Sequence, residues 1–165
     1  MKTLKFSIVC LLALTALLLS CNGNNADTTK PVILLEEPCE GDSILIGDPD
    51  GMHLEMDLSD DVMLREYLVE IHNNFDQHGH DAPAVQLAAE DEQPFAFRKS
   101  WDLTGNRTKH VHHHEILIPE NAQEGDYHIM IYCTDAAGNE SYVARSIVLS
   151  HTASEHEDEH DEDED

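Results

Sequence analysis

From Gly51 to Leu58 the chain alternates residue by residue, with Met52, Leu54, Met56 and Leu58 on one side and His53, Glu55 and Asp57 on the other. Successive side chains of an extended chain point to opposite faces, so this run reads as a half-buried β-strand. The same signature recurs along the chain. Pro31 to Leu35 is a first strand candidate. Phe95, Phe97, Lys99, Trp101 and Leu103 alternate with Ala96, Arg98, Ser100 and Asp102. Tyr127, Ile129, Ile131 and Cys133 form the inward face of another strand, and Tyr142 to Leu149 is the last. Two readings compete around Tyr67 to Ile71. Tyr67, Val69 and Ile71 alternate with Leu68, Glu70 and His72, yet Ser59-Asp60-Asp61 could cap a helix presenting Leu64, Tyr67, Leu68 and Ile71. The strand is preferred because its neighbours are strands. Thr104-Gly105-Asn106-Arg107 is a turn before Thr108 to Ile118, which predicts a hairpin. About seven short strands with regular turn signals predict an all-β fold, an antiparallel β-sandwich.

The two ends read differently. Lys2 and Lys5 precede an apolar run from Phe6 to Leu19, followed by Leu18-Leu19-Ser20-Cys21. That run is short and early for a spanning helix and fits an export signal ending in a lipobox, with Cys21 as the lipidated residue. The expected organisation is a signal over 1–20, a flexible tether over 21–29, the sandwich over 30–150 and a disordered tail over 151–165. The tail carries His151, His156 and His160 among nearly continuous Asp and Glu, a composition that buries no apolar surface. The expected location is the outer membrane, lipid-anchored and facing the periplasm, with surface exposure left open.

The formal net charge is −25, and −27 once Lys2 and Lys5 leave with the signal. Nucleic acid is excluded as a natural partner, because phosphate binding needs clustered Lys and Arg. Cations suit such a field. Of the four cysteines, Cys10 leaves with the signal and Cys21 takes the lipid, leaving Cys39 and Cys133. In an oxidising compartment they either pair or supply a thiolate to a metal. A Cys39–Cys133 disulfide would close a loop of roughly a hundred residues, worth about 4–5 kcal/mol in the chain-entropy model.

Twelve histidines against nine Lys plus Arg point to metal. They concentrate in Ile71-His72-Asn73-Asn74-Phe75-Asp76-Gln77-His78-Gly79-His80-Asp81 and in His110-Val111-His112-His113-His114-Glu115, with His128 after Tyr127. Imidazole is the commonest protein ligand for zinc and copper. In a sandwich with connections gathered at two ends, the start of the second strand near His53, the end of the third near His72, the polar connection from Asn73 to Gln93 and His128 should meet at one rim. His112 and His114 share a strand face near it. The predicted ligand pool is therefore His72, Asp76, His78, His80, His112, His114 and His128, with Asp76 as a ligand or as an acceptor orienting a ring. Zn(II) is the first choice and Cu(II) the second.

These motifs carry a resemblance. Ile71-His72-x-x-Phe75-Asp76-x-His78-x-His80, Val111-His112-x-His114, Ile118-Pro119, Gly125-x-Tyr127-His128 and Asp135-x-x-Gly138-Asn139 resemble a family of Bacteroidota lipoproteins known as a domain of unknown function with an Ig-like fold. The resemblance covers roughly Lys30 to Leu149. It implies an Ig-like sandwich with Tyr127 as a corner tyrosine and an envelope location, and it brings no activity. The function expected from the residues is reversible metal binding for buffering, sensing or delivery, with an outer-membrane transporter or other envelope protein as partner. Two alternatives stand beside it: an adhesion or accessory module with incidental histidines, and a metal-dependent enzyme. The enzyme reading is the weakest, because no convincing Ser-His-Asp set is present.

Overall fold

The computed structural model describes residues 27–75 and 92–153. Eight strands occur in this part of the chain: β1 (Val32–Glu37), β2 (Ser43–Leu45), β3 (Met52–Ser59), β4 (Leu64–Asn73), β5 (Phe97–Asp102), β6 (Thr108–Ile116), β7 (Gly125–Asp135) and β8 (Glu140–Ser150). They form a three-stranded sheet, β1-β3-β6, and a five-stranded sheet, β2-β8-β7-β4-β5. The fold is an all-β sandwich.

Alternation explains which residues lie between the sheets. Leu54, Met56 and Leu58 of β3 and Val69, Ile71, Ile129 and Ile131 of β4 and β7 are all buried in one core. The intervening residues of each strand face outward, as period-two patterning requires. The segment around Ile71 is a strand, and no helix occurs among the described residues. Tyr127 is fully buried and its hydroxyl donates to the Gln123 carbonyl, 2.8 Å away and four residues back, while accepting the Phe95 N–H at 3.1 Å. This is the corner tyrosine, and it stitches the approach to β7 onto the chain entering β5.

Three features depart from the sequence expectation. β2 is an additional short strand, parallel to β8, too brief for periodicity to reveal. β5 and β6 are not a hairpin. β5 pairs with β4 and β6 pairs with β3, so the turn between them crosses from one sheet to the other. Leu103 is buried at the crossing, its N–H bonds the Arg65 carbonyl, and Asn106 and Arg107 carbonyls receive the Leu64 and Asp60 N–H groups. A turn sequence specifies a reversal of direction, and here burial of Leu103 and bonding to the β3–β4 turn direct it between layers. Cys39 and Cys133 are not joined, because Cys133 lies in the core and Cys39 is exposed beyond the end of β1.

Candidate metal centre

The outer face of the three-stranded sheet is built from the polar side of β3 and the matching side of β6. On β3 the buried even positions leave His53, Glu55 and Asp57 pointing outward. On β6 Val111 is buried, so His110 and His112 point the same way as Glu55 and Asp57. The strands are antiparallel, with Glu55 opposite His112 and Asp57 opposite His110. Between the Leu54–His113 pair and the Met52–Ile116 pair, β6 advances three residues while β3 advances two. This bulge sets His114 and Glu115 against His53 alone.

Three imidazoles converge there. His53, His112 and His114 each offer a ring nitrogen, and these atoms all lie within 4.8 Å of one another. The His53 ring centroid is 4.9 Å from that of His112 and 4.9 Å from that of His114, with the latter pair stacked. One step along the strands, Glu55, His110 and His112 form a second set within the same limit, so His112 belongs to both. Acceptors orient the outer rings. His114 Nδ1 is 3.2 Å from the Gly51 carbonyl, and His110 Nδ1 is 3.1 Å from Asp57 Oδ1. An Nδ1–H bonded this way leaves Nε2 with its lone pair free for a ligand. His53 Nε2 is buried without a hydrogen-bond partner; Glu55 Oε2 stands 3.5 Å away, at ion-pair range but outside hydrogen-bond geometry.

Gly51 makes the close approach possible. Its φ is +87°, and a Cβ there would stand 2.2 Å from the His114 carbonyl oxygen. Only glycine accepts both the left-handed backbone and that contact.

The neighbouring His113 has a different role. It points into the sandwich, where its Nε2 is 3.0 Å from the Tyr67 hydroxyl and its ring is 5.1 Å from that of Trp101. Burial pushes its pKa below the ordinary histidine value; Glu115 opposes the shift, while Lys99, His114 and His112 add to it. His113 is thus a neutral structural residue inside a run whose neighbours face solvent.

The expected single rim does not form. His72 and His128 are cross-strand partners of β4 and β7, with rings 5.7 Å apart edge to face. They alternate with buried Ile71, Tyr127 and Ile129, so they lie on the outer face of the five-stranded sheet, across the sandwich from His112 and His114. His72 Nδ1 is buried and unpartnered there, with Glu70 Oε1 at 3.9 Å. Asp76, His78 and His80 lie outside the described residues. His53 and His110 were absent from the predicted pool. The alternation already placed them on polar strand faces; what it lacked was the β3–β6 pairing.

Neither cysteine is a strong ligand. Burial pushes the Cys133 thiol up to about 12, with Asp60 and Asp135 adding to the effect. Cys39 lies near Glu37 and Asp42, and desolvation followed by the Glu37 charge raises its thiol as well. A protonated thiol binds metal poorly.

A family model described as a domain of unknown function, DUF4625, matches residues 19–150. The chain belongs to the DUF4625 family. None of the curated proteins compared with the chain matches it. The DUF4625 match takes in all eight strands and the whole histidine face, so the candidate centre belongs to the family's domain and not to an appendage.

Proposed function

We propose that this DUF4625 domain reversibly binds a divalent transition metal through His53, His112 and His114, with Zn(II) the first candidate and Cu(II) the second. The carrying observation is the convergence of three ring nitrogens within 4.8 Å, one of them on a residue whose Nε2 is buried without a partner. Zinc takes nitrogen at about 2.0–2.1 Å, so the rings must draw together by small rotations. His112 and His114 are exposed and free to make them. Three protein ligands leave a fourth position for water or for a donor from another molecule, which suits uptake and release better than permanent burial. Glu55 beside the trio and the strongly negative chain favour cations.

In this reading the domain sits on the cell envelope through lipid at Cys21 and serves metal buffering, sensing or delivery to an envelope transporter. The apolar run ending at Cys21 supports the anchor. Turnover is not part of the proposal. The test is elemental analysis and zinc titration of the purified full chain as a function of pH. One tightly held ion per chain at pH 7.5, released as imidazoles protonate towards pH ~5, is expected. Occupancy that stays unchanged down to pH ~4 rules out histidine ligation.

A further inference from the structure

At the other end of β3 from His53, a second and chemically different cluster lies where three segments meet. Asp60 and Asp61 begin the turn between β3 and β4, and Asp27 lies on the segment leading into β1. Each brings a carboxylate oxygen within 4.8 Å of the other two. Carboxylates crowded on a surface are common; Asp60 is what sets this group apart. It is only 8% exposed. Its Oδ1 accepts the N–H groups of Val62 and Met63, at 3.0 and 2.6 Å. Its Oδ2 is buried and has no hydrogen-bond partner.

A buried carboxylate oxygen without a donor is costly, and two further carboxylates beside it raise the cost. No salt bridge reaches any of the three among the described residues. Arg107, which adjoins the turn, gives its guanidinium to the Asp61 carbonyl and not to a carboxylate. The missing partner is a cation.

The cradle is held from several directions. Asp60 N–H bonds the Arg107 carbonyl at 2.8 Å, and Ala136 N–H bonds the Met63 carbonyl at 2.9 Å. The Asn139 side-chain amide donates to the Asp27 carbonyl at 3.2 Å. Thr29 donates its backbone N–H to Asp27 Oδ1 and its hydroxyl to Asp61 Oδ2, at 3.0 and 3.3 Å, which adds a neutral oxygen beside the trio.

We propose that Asp27, Asp60 and Asp61 form a binding site for a hard divalent cation, calcium in particular. The donor set is all oxygen, with no imidazole or thiolate among the three. Calcium accepts oxygens at about 2.3–2.6 Å in irregular arrangements, so an ion can span donors nearly 5 Å apart. Magnesium, at about 2.0–2.1 Å and strictly octahedral, would require the cluster to contract. A bound ion would fasten the β3–β4 turn to the segment entering β1, so the site is a clamp between the sandwich and the chain that precedes it. It shares no ligand with the histidine face, and either proposal stands without the other.

The test is thermal unfolding and calorimetric titration of the full chain, stripped with chelator, against calcium and against magnesium. Wild type, Asp27→Asn, Asp61→Asn and Asp60→Asn are compared. Asp27→Asn and Asp61→Asn alter less buried side chains, and Asp60→Asn keeps Oδ1 as the turn acceptor. For wild type a saturable rise of a few degrees is expected, with one calcium per chain and a midpoint of about 0.1–1 mM, the range of extracellular modules. Each variant should need at least about tenfold more calcium, and magnesium should be the weaker ion. Three outcomes overturn the proposal: no saturable response in wild type, the same midpoint in Asp61→Asn and Asp27→Asn as in wild type, or magnesium acting at the calcium midpoint.

Discussion

His112 belongs to both candidate ligand sets on the β3–β6 face, so His112→Ala removes a ligand from each at once. The side chain is exposed, and its loss should change the stability of the metal-free protein by no more than about 0.5 kcal/mol. The effect should emerge only with zinc. At free zinc buffered near a hundred times the wild-type Kd, binding stabilises the fold by about 2.7 kcal/mol. For a domain of this size that is about 10 °C in Tm, at roughly 4 °C per kcal/mol. Losing even an orienting partner of a metal ligand weakens binding by about 10–100-fold, so losing a ligand itself should cost at least about 100-fold. Free zinc then only matches the variant's Kd, and the stabilisation falls to about 0.4 kcal/mol, or less than about 2 °C. Thermal unfolding followed by circular dichroism, with and without buffered zinc, reads both numbers. His110→Ala removes only the second set and should keep most of the shift. His72→Ala, on the opposite sheet, should keep all of it. A His112→Ala protein that still gains the wild-type shift, or a His72→Ala protein that loses it, refutes the assignment.

Two further predictions concern the frame that carries the site. Tyr127→Phe strands the Gln123 carbonyl and the Phe95 N–H in a buried setting, and should cost about 2–4 kcal/mol in urea unfolding; a cost below about 0.5 kcal/mol would show that the corner is dispensable. Asp135 is fully buried, and burial alone would raise its pKa, but hydrogen bonds from the Asn139 side chain and from the N–H groups of Asn139, Gly138 and Ala137 together hold it below the ordinary value of 3.8. The unfolded chain therefore binds the proton more readily, so this stabilisation is present above pH ~4 and is lost as pH falls through the folded pKa. Asp135→Asn should lose about 2 kcal/mol at pH 7 and flatten the decline of stability between pH ~5 and ~2; an unchanged acid slope in the variant would assign that slope to other groups.

Much of the frame was legible because it depends on local alternation. Met52 to Leu58, Tyr67 to Ile71 and Tyr127 to Cys133 each show which side is buried without reference to any other strand, and the structure buries those sides. The corner at Tyr127 and the turn from Asp135 to Asn139 are short-range as well. Pairing between strands is a long-range property, and there the reading failed. Thr104 to Arg107 could equally close a hairpin or arch between sheets, and nothing within those four residues decides it. β2 is three residues long and has no period to read. The site was half legible for the same reason: His112 and His114 were placed on one face by spacing, whereas their companion His53 depends on which strand lies beside β6.

Strand parity also explains why the histidines divide into two groups. Converging chain ends bring backbones near one another, but a side chain on the outer face of one sheet is separated from the outer face of the other by the thickness of the core, about 10 Å of packed side chains. His72 and His128 follow the parity of β4 and β7, and His53, His110, His112 and His114 follow that of β3 and β6, so the rim cannot gather them. The bulge in β6 completes the division. Strict alternation after His113 would turn the Glu115 carboxylate into the core and expose Ile116. The additional residue instead lets Ile116 enter the core and sends Glu115 to the sheet margin, where Lys99 and the Trp101 indole of β5 bind it and hold its pKa below the ordinary glutamate value. Avoiding a buried, unpaired carboxylate is reason enough for the bulge, and its consequence is that His114 stands outside, beside His53. The metal-ligand geometry of this face is thus a by-product of how β6 keeps its one glutamate out of the core.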